Sequence, residues 1–385
     1  MYASAAALLA LTLSFPSLSA ASITIEHVGQ ANTTIGSTSL LLTDTHRRDP
    51  YINDGRSRSI MVSSFYPVLD CKNKGVVPYM PPQTAAFMDK KFSVYGLPNG
   101  TFPSLQVEVC NKPTSRDSCS TPAPPLVLFS PALGTSKYLY SVMLQSIASS
   151  GYLVISIDHP YDADIVEYPN GTIVTGVDIP DDKINQTVAT RAADISFALD
   201  SLRNSQISKK LFPVHEIRQR NLKVAVLGHS LGGAAAGAAT LQTPSVLGGV
   251  NLDGTMFGQV LDKGLDKPFM LIGHDNKTQA TDPSWKTVWP KLRVWKREIE
   301  VRKSAHYSFS DLPAVLSALG VGSAQLPGVG DLLGTIEGKR MMQLTTAHVV
   351  AFLDLVLKSR GEKGFANAAK EFPEAVTVAQ GGSRH

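Results

Sequence analysis

The run Lys223-Val-Ala-Val-Leu-Gly228-His229-Ser230-Leu231-Gly232-Gly233, followed by three alanines, constrains the fold of this 385-residue chain more than any other stretch. A short continuous apolar run bounded by a turn signal reads as a buried strand, and the small-residue segment after it as a helix. A serine between two glycines where strand becomes helix is the pattern of a nucleophile elbow. The turn is too sharp to admit side chains at 228 and 232, and it holds the serine in a strained conformation with Oγ exposed. The Leu231 N–H, at the start of the helix, is then free to donate to an oxyanion. The plain alternative is a tight glycine-rich turn around an inert serine.

The surrounding pattern agrees with such an elbow. From Leu126 onward, apolar strand-like runs (126–129, 153–157, 223–227, 250–252, 269–272) and a final strand near 294–301 alternate with helical segments (138–149, 188–202, 232–241, a short one from Asp282, 308–319, 338–358). The 188–202 segment carries apolar residues at 188, 192, 195, 199 and 202, a 3.6-residue period. Continuous apolar strands in βα alternation predict an α/β fold: a mostly parallel central sheet flanked by helices on both faces. Before it lie β-type segments at 22–28, 39–43 and 59–66. Residues 21–372 are expected to form one domain, with a Pro-, Ser- and Cys-rich surface excursion at 99–125 and a disordered tail at 373–385. No repeat with a period of 20–50 residues is present.

Residues 1–20 hold no charged side chain and read as a secretory signal peptide, with an apolar stretch too short to span a bilayer and small residues suited to cleavage. No later stretch reads as a transmembrane helix. Five N-x-S/T sequons, at Asn32, Asn99, Asn170, Asn185 and Asn276, fit a secreted, extracellular glycoprotein. Three cysteines, Cys71, Cys110 and Cys119, predict one disulfide and one leftover thiol, and their spacing leaves the pairing open. A balance of 36 basic against 32 acidic residues is too even to imply a nucleic-acid partner. No zinc, calcium or nucleotide motif appears, so no metal and no cofactor is expected.

A serine needs a base and an orienting carboxylate to become a nucleophile, and in this architecture they follow it in the order acid, histidine. His306 comes just after the last parallel strand, at the edge where such sheets bind ligands. His348 sits inside a helical segment and reads as a packed or surface residue; His274 follows a strand and reads as a loop residue near the site. Asp253 and Asp275 each end a strand and compete for the acid. Asp275 adjoins the Asn276 sequon, where a glycan would draw the loop into solvent, whereas an orienting carboxylate should be buried, so Asp253 is preferred. The second oxyanion donor is expected from the 129–136 loop. Pro131 has no N–H, which leaves Leu133 as the donor, with Gly134 giving the backbone room. The segment His159-Pro-Tyr-Asp162 lies at the same edge and is assigned no chemistry. Trp285, Trp289 and Trp295, interleaved with basic residues, suggest either a lipid-interface contact or, as the favoured reading, a buried stripe with a solvated face.

Together these residues resemble the type-II platelet-activating-factor acetylhydrolases and their secreted fungal relatives. The resemblance rests on GHSLGG at 228–233, NLDGT at 251–255 and HYSFSD at 306–311, with RSIMVSSFYP (58–67) and FSPALGTSKYLYS (129–141) also family-like. It departs at Pro131-Ala132, where vertebrate members usually carry His-Gly. The resemblance implies an α/β-hydrolase fold with Ser230 as nucleophile, Asp253 as acid, His306 as base, and Leu133 and Leu231 as oxyanion donors. It further implies a secreted serine esterase acting on the short sn-2 acyl group of a phospholipid. A broad carboxylesterase, lipase or polyester hydrolase is the alternative within enzymes. A non-catalytic binding glycoprotein is the alternative outside them, disfavoured because all three members of the triad are present. Oligomeric state is not legible from the chain.

Overall fold

Six strands of five to seven residues, five of them largely apolar and the sixth the charged run Lys296–Val301, pair in parallel at the centre of the protein, and helices seal both of their faces. A computed structural model describes residues 22–30, 33–111, 113, 123–218, 222–326 and 328–382. The spatial order of the nine-stranded sheet is Ala375–Gly381, Lys296–Val301, Phe269–Gly273, Val246–Leu252, Val224–His229, Leu126–Ser130, Leu153–Asp158, Ser57–Val68 and Thr34–Arg48. The six middle members from Lys296–Val301 to Leu153–Asp158 are parallel, whereas the last two strands and Ala375–Gly381 pair antiparallel.

Burial on both faces explains why the strands read as continuous apolar runs. On one face Val127, Phe129, Ala225 and Leu227 pack with helices Ser141–Ser149 and Gly338–Leu357. On the other, Leu126, Leu128, Val224 and Val226 pack with helices Ile184–Ser201 and Leu231–Gln242. Each fully buried Val or Leu contributes about 1.5–3 kcal/mol. Residues 329–357 are long and apolar enough to pass for a membrane span, but two-thirds of that window is buried inside the protein, where it serves as core.

Two sequence expectations are corrected. The 99–125 segment is not a loop throughout: Thr101–Ser104 is a helical turn and Leu105–Cys110 a strand, paired with Ile23–Ile25 and Lys74–Pro78 in a small second sheet. Its apolar residues at 105, 107 and 109 alternate and face the core, a period-two signal masked by the Pro- and Ser-rich sequence after it. Residues 375–381 of the expected tail form an edge strand, because the backbone of Lys296–Val301 offers a free row of hydrogen-bonding groups for them to pair with. The expected leader 1–20, Asn32 and Cys119 lie outside the described residues.

The pairing left open by the sequence is Cys71 with Cys110, 39 residues apart. Closing a loop of that length removes enough unfolded-chain entropy to stabilise the fold by about 4 kcal/mol. Cys71→Ser combined with Cys110→Ser should therefore lower the unfolding free energy by roughly that amount in urea titrations. Reducing agent should do the same to the native protein and nothing further to the double variant.

Candidate active site

The carboxyl ends of the parallel strands bring the sequence-derived residues together. Ser130 ends one strand, His229 ends the next and Ser230 follows it, Asp253 follows Val246–Leu252, His274 follows Phe269–Gly273, and His306 opens the turn after Lys296–Val301. Backbone hydrogen bonds knit these ends: Ser230 N–H donates to Leu252 O (2.8 Å) and Asp253 N–H to Ile272 O (2.7 Å).

The elbow has the strain its sequence implied. Ser230 adopts φ 56°, ψ −125°, a conformation that costs a non-glycine residue about 1–3 kcal/mol. A Cβ at 228 would lie 2.0 Å from the Gly232 carbonyl oxygen, and one at 232 would lie 2.0 Å from that of Ser130. Both contacts are with backbone, so neither position admits a side chain without moving the turn.

From Ser230 Oγ a hydrogen bond of 3.0 Å reaches His306 Nε2, and His306 Nδ1 meets Asp253 Oδ2 at 2.5 Å. The Asp253 side chain is 0% exposed and that of His306 is 39% exposed. Burial pushes the Asp253 carboxyl up, but N–H donation from His274 and His306 outweighs it and holds the group well below the usual carboxylate range. Asp275, the competing acid, is exposed and accepts the Lys303 N–H at 2.9 Å. His348 is buried and bonded through Nδ1 to Leu344 O, a packed residue remote from this chemistry.

His274 is closer to the chemistry than a loop neighbour. Its ring Nδ1 lies 2.7 and 2.8 Å from the two Asp253 oxygens, and its backbone N–H donates to Oδ1. The carboxylate thus serves two imidazoles. Trp285 Nε1–H donates to Gly254 O at 2.7 Å and pins the loop carrying the acid. Trp285 and Trp295 are buried, so the tryptophan stretch is mainly a core stripe.

Of the expected oxyanion donors, Leu231 directly follows the serine, and Leu133 lies in the loop whose Ser130 and Pro131 carbonyls abut Gly232. Among the described residues, neither the Leu231 N–H nor the Leu133 N–H meets a protein acceptor. The neighbouring groups of the Leu133 loop are all engaged: Ala132 N–H with Tyr140 Oη, Gly134 N–H with Asp162 O, and Leu133 O with the Thr135 hydroxyl.

Two further residues were not singled out by the sequence. His229 is buried beneath His306, donating through Nε2 to His306 O (2.9 Å) and accepting through Nδ1 from Tyr140 Oη (2.8 Å). Burial, and then the proximity of His306, draw it down to about 3. Asp311, the last residue of HYSFSD, accepts the Val142 and Met143 N–H groups and the Tyr79 hydroxyl, and burial pushes it up to about 6 against those donors. It therefore ties the His306 turn to the helix after the oxyanion loop. Only the spacing of that motif could have signalled its role.

His229 has a consequence for acid stability. The unfolded chain protonates this histidine below about pH 6.5, whereas the folded protein holds it neutral, so stability falls as pH drops through that window. The expected loss is about 2 kcal/mol between pH 6.5 and 5. His229→Gln, which can keep both hydrogen bonds, should show a pH slope shallower by that amount in urea denaturation.

Fold and site together define a carboxylic-ester hydrolase of the α/β-hydrolase type. A sequence model of the family "Platelet-activating factor acetylhydrolase, isoform II" matches residues 51–371, and the chain belongs to that family. It is 30% identical over 365 residues, spanning 88% of this chain and 89% of the relative, to an Arthroderma benhamiae protein named "Probable 1-alkyl-2-acetylglycerophosphocholine esterase". The platelet-activating factor acetylhydrolase of Cavia porcellus is 23% identical over 263 residues, 60% of this chain and 57% of that one. Among solved structures, a ferulic acid esterase from Streptomyces cinnamoneus superposes with a TM-score of 0.77 at 27% identity, covering 93% of this chain and all of that one.

Proposed function

We propose that the protein is a secreted, glycosylated serine esterase that removes the short sn-2 acyl group of platelet-activating-factor-like phospholipids through an acyl-enzyme. The observation that carries this reading is the unbroken relay from buried Asp253 through His306 to Ser230. His306 Nε2 takes the Ser230 proton as Oγ attacks the ester carbonyl, and the negative oxygen forms against the Leu133 and Leu231 N–H groups. The alcohol leaves with the proton held on His306. A water deprotonated by the same nitrogen then releases the acid.

The relatives named for acetylhydrolase activity support the substrate class. Secretion is supported by the apolar 1–20 segment, by the exposed sequon residues Asn99, Asn170, Asn185 and Asn276, and by the Cys71–Cys110 bridge, which persists in an oxidising compartment. The superposition on a ferulic acid esterase favours one second reading, an esterase for simple or aryl esters. Initial rates on phosphocholines with sn-2 chains from acetyl to palmitoyl, beside aryl esters and with Ser230→Ala as blank, separate the two. A steep fall beyond the shortest chains is expected. Rates flat or rising with chain length would indicate a lipase, and activity on aryl esters alone would replace the phospholipid reading with the second one.

A further inference from the structure

The His159-Pro-Tyr-Asp162 segment, which the sequence left without a role, belongs to a sealed network behind the Leu133 loop. Ser130 Oγ lies 2.9 Å from His159 Nε2, and His159 Nδ1 lies 2.9 Å from Asp194 Oδ2. This repeats the Ser–His–Asp order of the site, yet all three side chains are buried, so no ester reaches them. Arg58 and Arg47 pair with Asp194, and Arg58 also with Asp49. Burial draws His159 below the usual histidine range, against the hydrogen bond to Asp194 and with the Arg191 charge, so it stays neutral and accepts a hydrogen bond from the Ser130 hydroxyl through Nε2.

Arg191, on helix Ile184–Ser201 and 1% exposed at its side chain, faces the loop from this network. Each of its five N–H donors has an acceptor. Nε and Nη2 grip the Asp162 carboxylate, Nη1 donates to Ser130 Oγ (3.2 Å) and Pro131 O, and Nη2 also donates to Ala132 O (3.3 Å). Two successive loop carbonyls therefore point at one guanidinium.

A planar trans peptide sets its N–H opposite its C=O. Holding Pro131 O aims the Ala132 N–H away from Arg191, and that N–H indeed lands on Tyr140 Oη at 3.2 Å. Holding Ala132 O likewise aims the next N–H, that of Leu133, away from the network, in a loop whose Ser130 and Pro131 carbonyls abut Gly232 of the elbow. We infer that Arg191, braced by Asp162 and by the Ser130–His159–Asp194 chain, is the positioning residue that aims the Leu133 N–H at the developing oxyanion. The inference rests on the esterase reading above. Lysine cannot replace the fork, because three donors on one nitrogen cannot reach two carbonyls, a hydroxyl and both oxygens of a carboxylate.

The test measures kcat and KM on a short-chain ester together with the affinity for an aryl trifluoromethyl ketone. That probe adds reversibly to Ser230 Oγ and leaves its own oxygen anionic in the hole. Arg191→Lys keeps the charge beside Asp162. It should lower kcat by about 10²-fold with KM within about threefold, since losing one oxyanion donor costs about 10²–10³. Ketone affinity should fall by a matching factor, while the pH profile of kcat keeps its shape and midpoint. Folded Arg191→Lys with unchanged kcat and ketone affinity overturns the inference. So does a fall in melting temperature and kcat without a matching loss of ketone affinity, which marks mere structural support.

If Arg191→Lys does not fold, Ser130→Ala, which removes only the hydroxyl bracing the guanidinium, is read the same way. Matched losses of roughly tenfold support the inference, and an unchanged kcat overturns it. Failure of the underlying reading looks different: Ser230→Ala would then retain the activity of the unaltered protein.

Discussion

Replacing Ser230 with alanine is expected to lower kcat by on the order of 10⁵–10⁶, leaving a residue of about 10³–10⁴ over water from the oxyanion donors and binding alone. The size follows from the relay. His306 Nε2 has no other hydrogen-bond partner among the described residues than Ser230 Oγ, so without that oxygen the site keeps a base with nothing to deprotonate but water. The fold should not suffer. Ser230 is half-buried and its side chain caps nothing, so thermal unfolding of Ser230→Ala should match the unaltered protein. Ser230→Gly supplies a sharper check. A residue without a Cβ relaxes the positive φ at 230, so this variant should be as inactive as Ser230→Ala yet more stable than it by about 1 kcal/mol. Equal stability of the two would mean that the elbow stores no strain. Retained activity in either would mean that the nucleophile lies elsewhere.

The elbow was legible because it is local: a strand, a serine and two glycines whose absent side chains leave room for the Gly232 and Ser130 carbonyls. The parallel sheet was legible for a similar reason, since the central strands, buried on both faces, are largely apolar. Pairings made by backbone were harder. The edge strand Ala375–Gly381 needs only Lys296–Val301 beside it and carries a single fully buried side chain, Ala375, so little in its composition separates it from a tail.

The supports of the site were least visible, because they join residues far apart in the chain. Arg58, Ser130, His159, Asp162, Arg191 and Asp194 come from four separate segments, and each alone reads as an ordinary polar residue. His274 illustrates the limit differently. Its place after a strand put it near the site, but its shared claim on Asp253 depends on a ring orientation that sequence does not encode.

That shared carboxylate makes Asp253→Asn the second large effect. Asparagine at 253 keeps one acceptor oxygen and presents an NH₂ where the other stood, so it cannot receive N–H donors from His306 and His274 together. His306 then loses the partner that fixes its tautomer and stabilises the imidazolium, and kcat should fall by as much as ~10⁴. Asp275→Asn should change kcat by less than about threefold, because that exposed side chain holds only the Lys303 N–H. The reverse ranking would move the acid to Asp275.

Asp253→Asn should also change stability with a defined sign. A carboxyl held below its unfolded range stabilises the folded state at pH values above about 4, and that contribution is lost as pH falls through the folded value. The deficit of Asp253→Asn relative to the unaltered protein should therefore be largest near neutrality and shrink on acidification below pH 4. His274→Ala distinguishes the two demands on the carboxylate, since it removes one donor and leaves the His306 bond of 2.5 Å intact. It should retain most of kcat while raising the pH at which Asp253 takes up its proton. If it instead loses as much kcat as Asp253→Asn, then His274, and not Asp253 alone, governs how His306 is held.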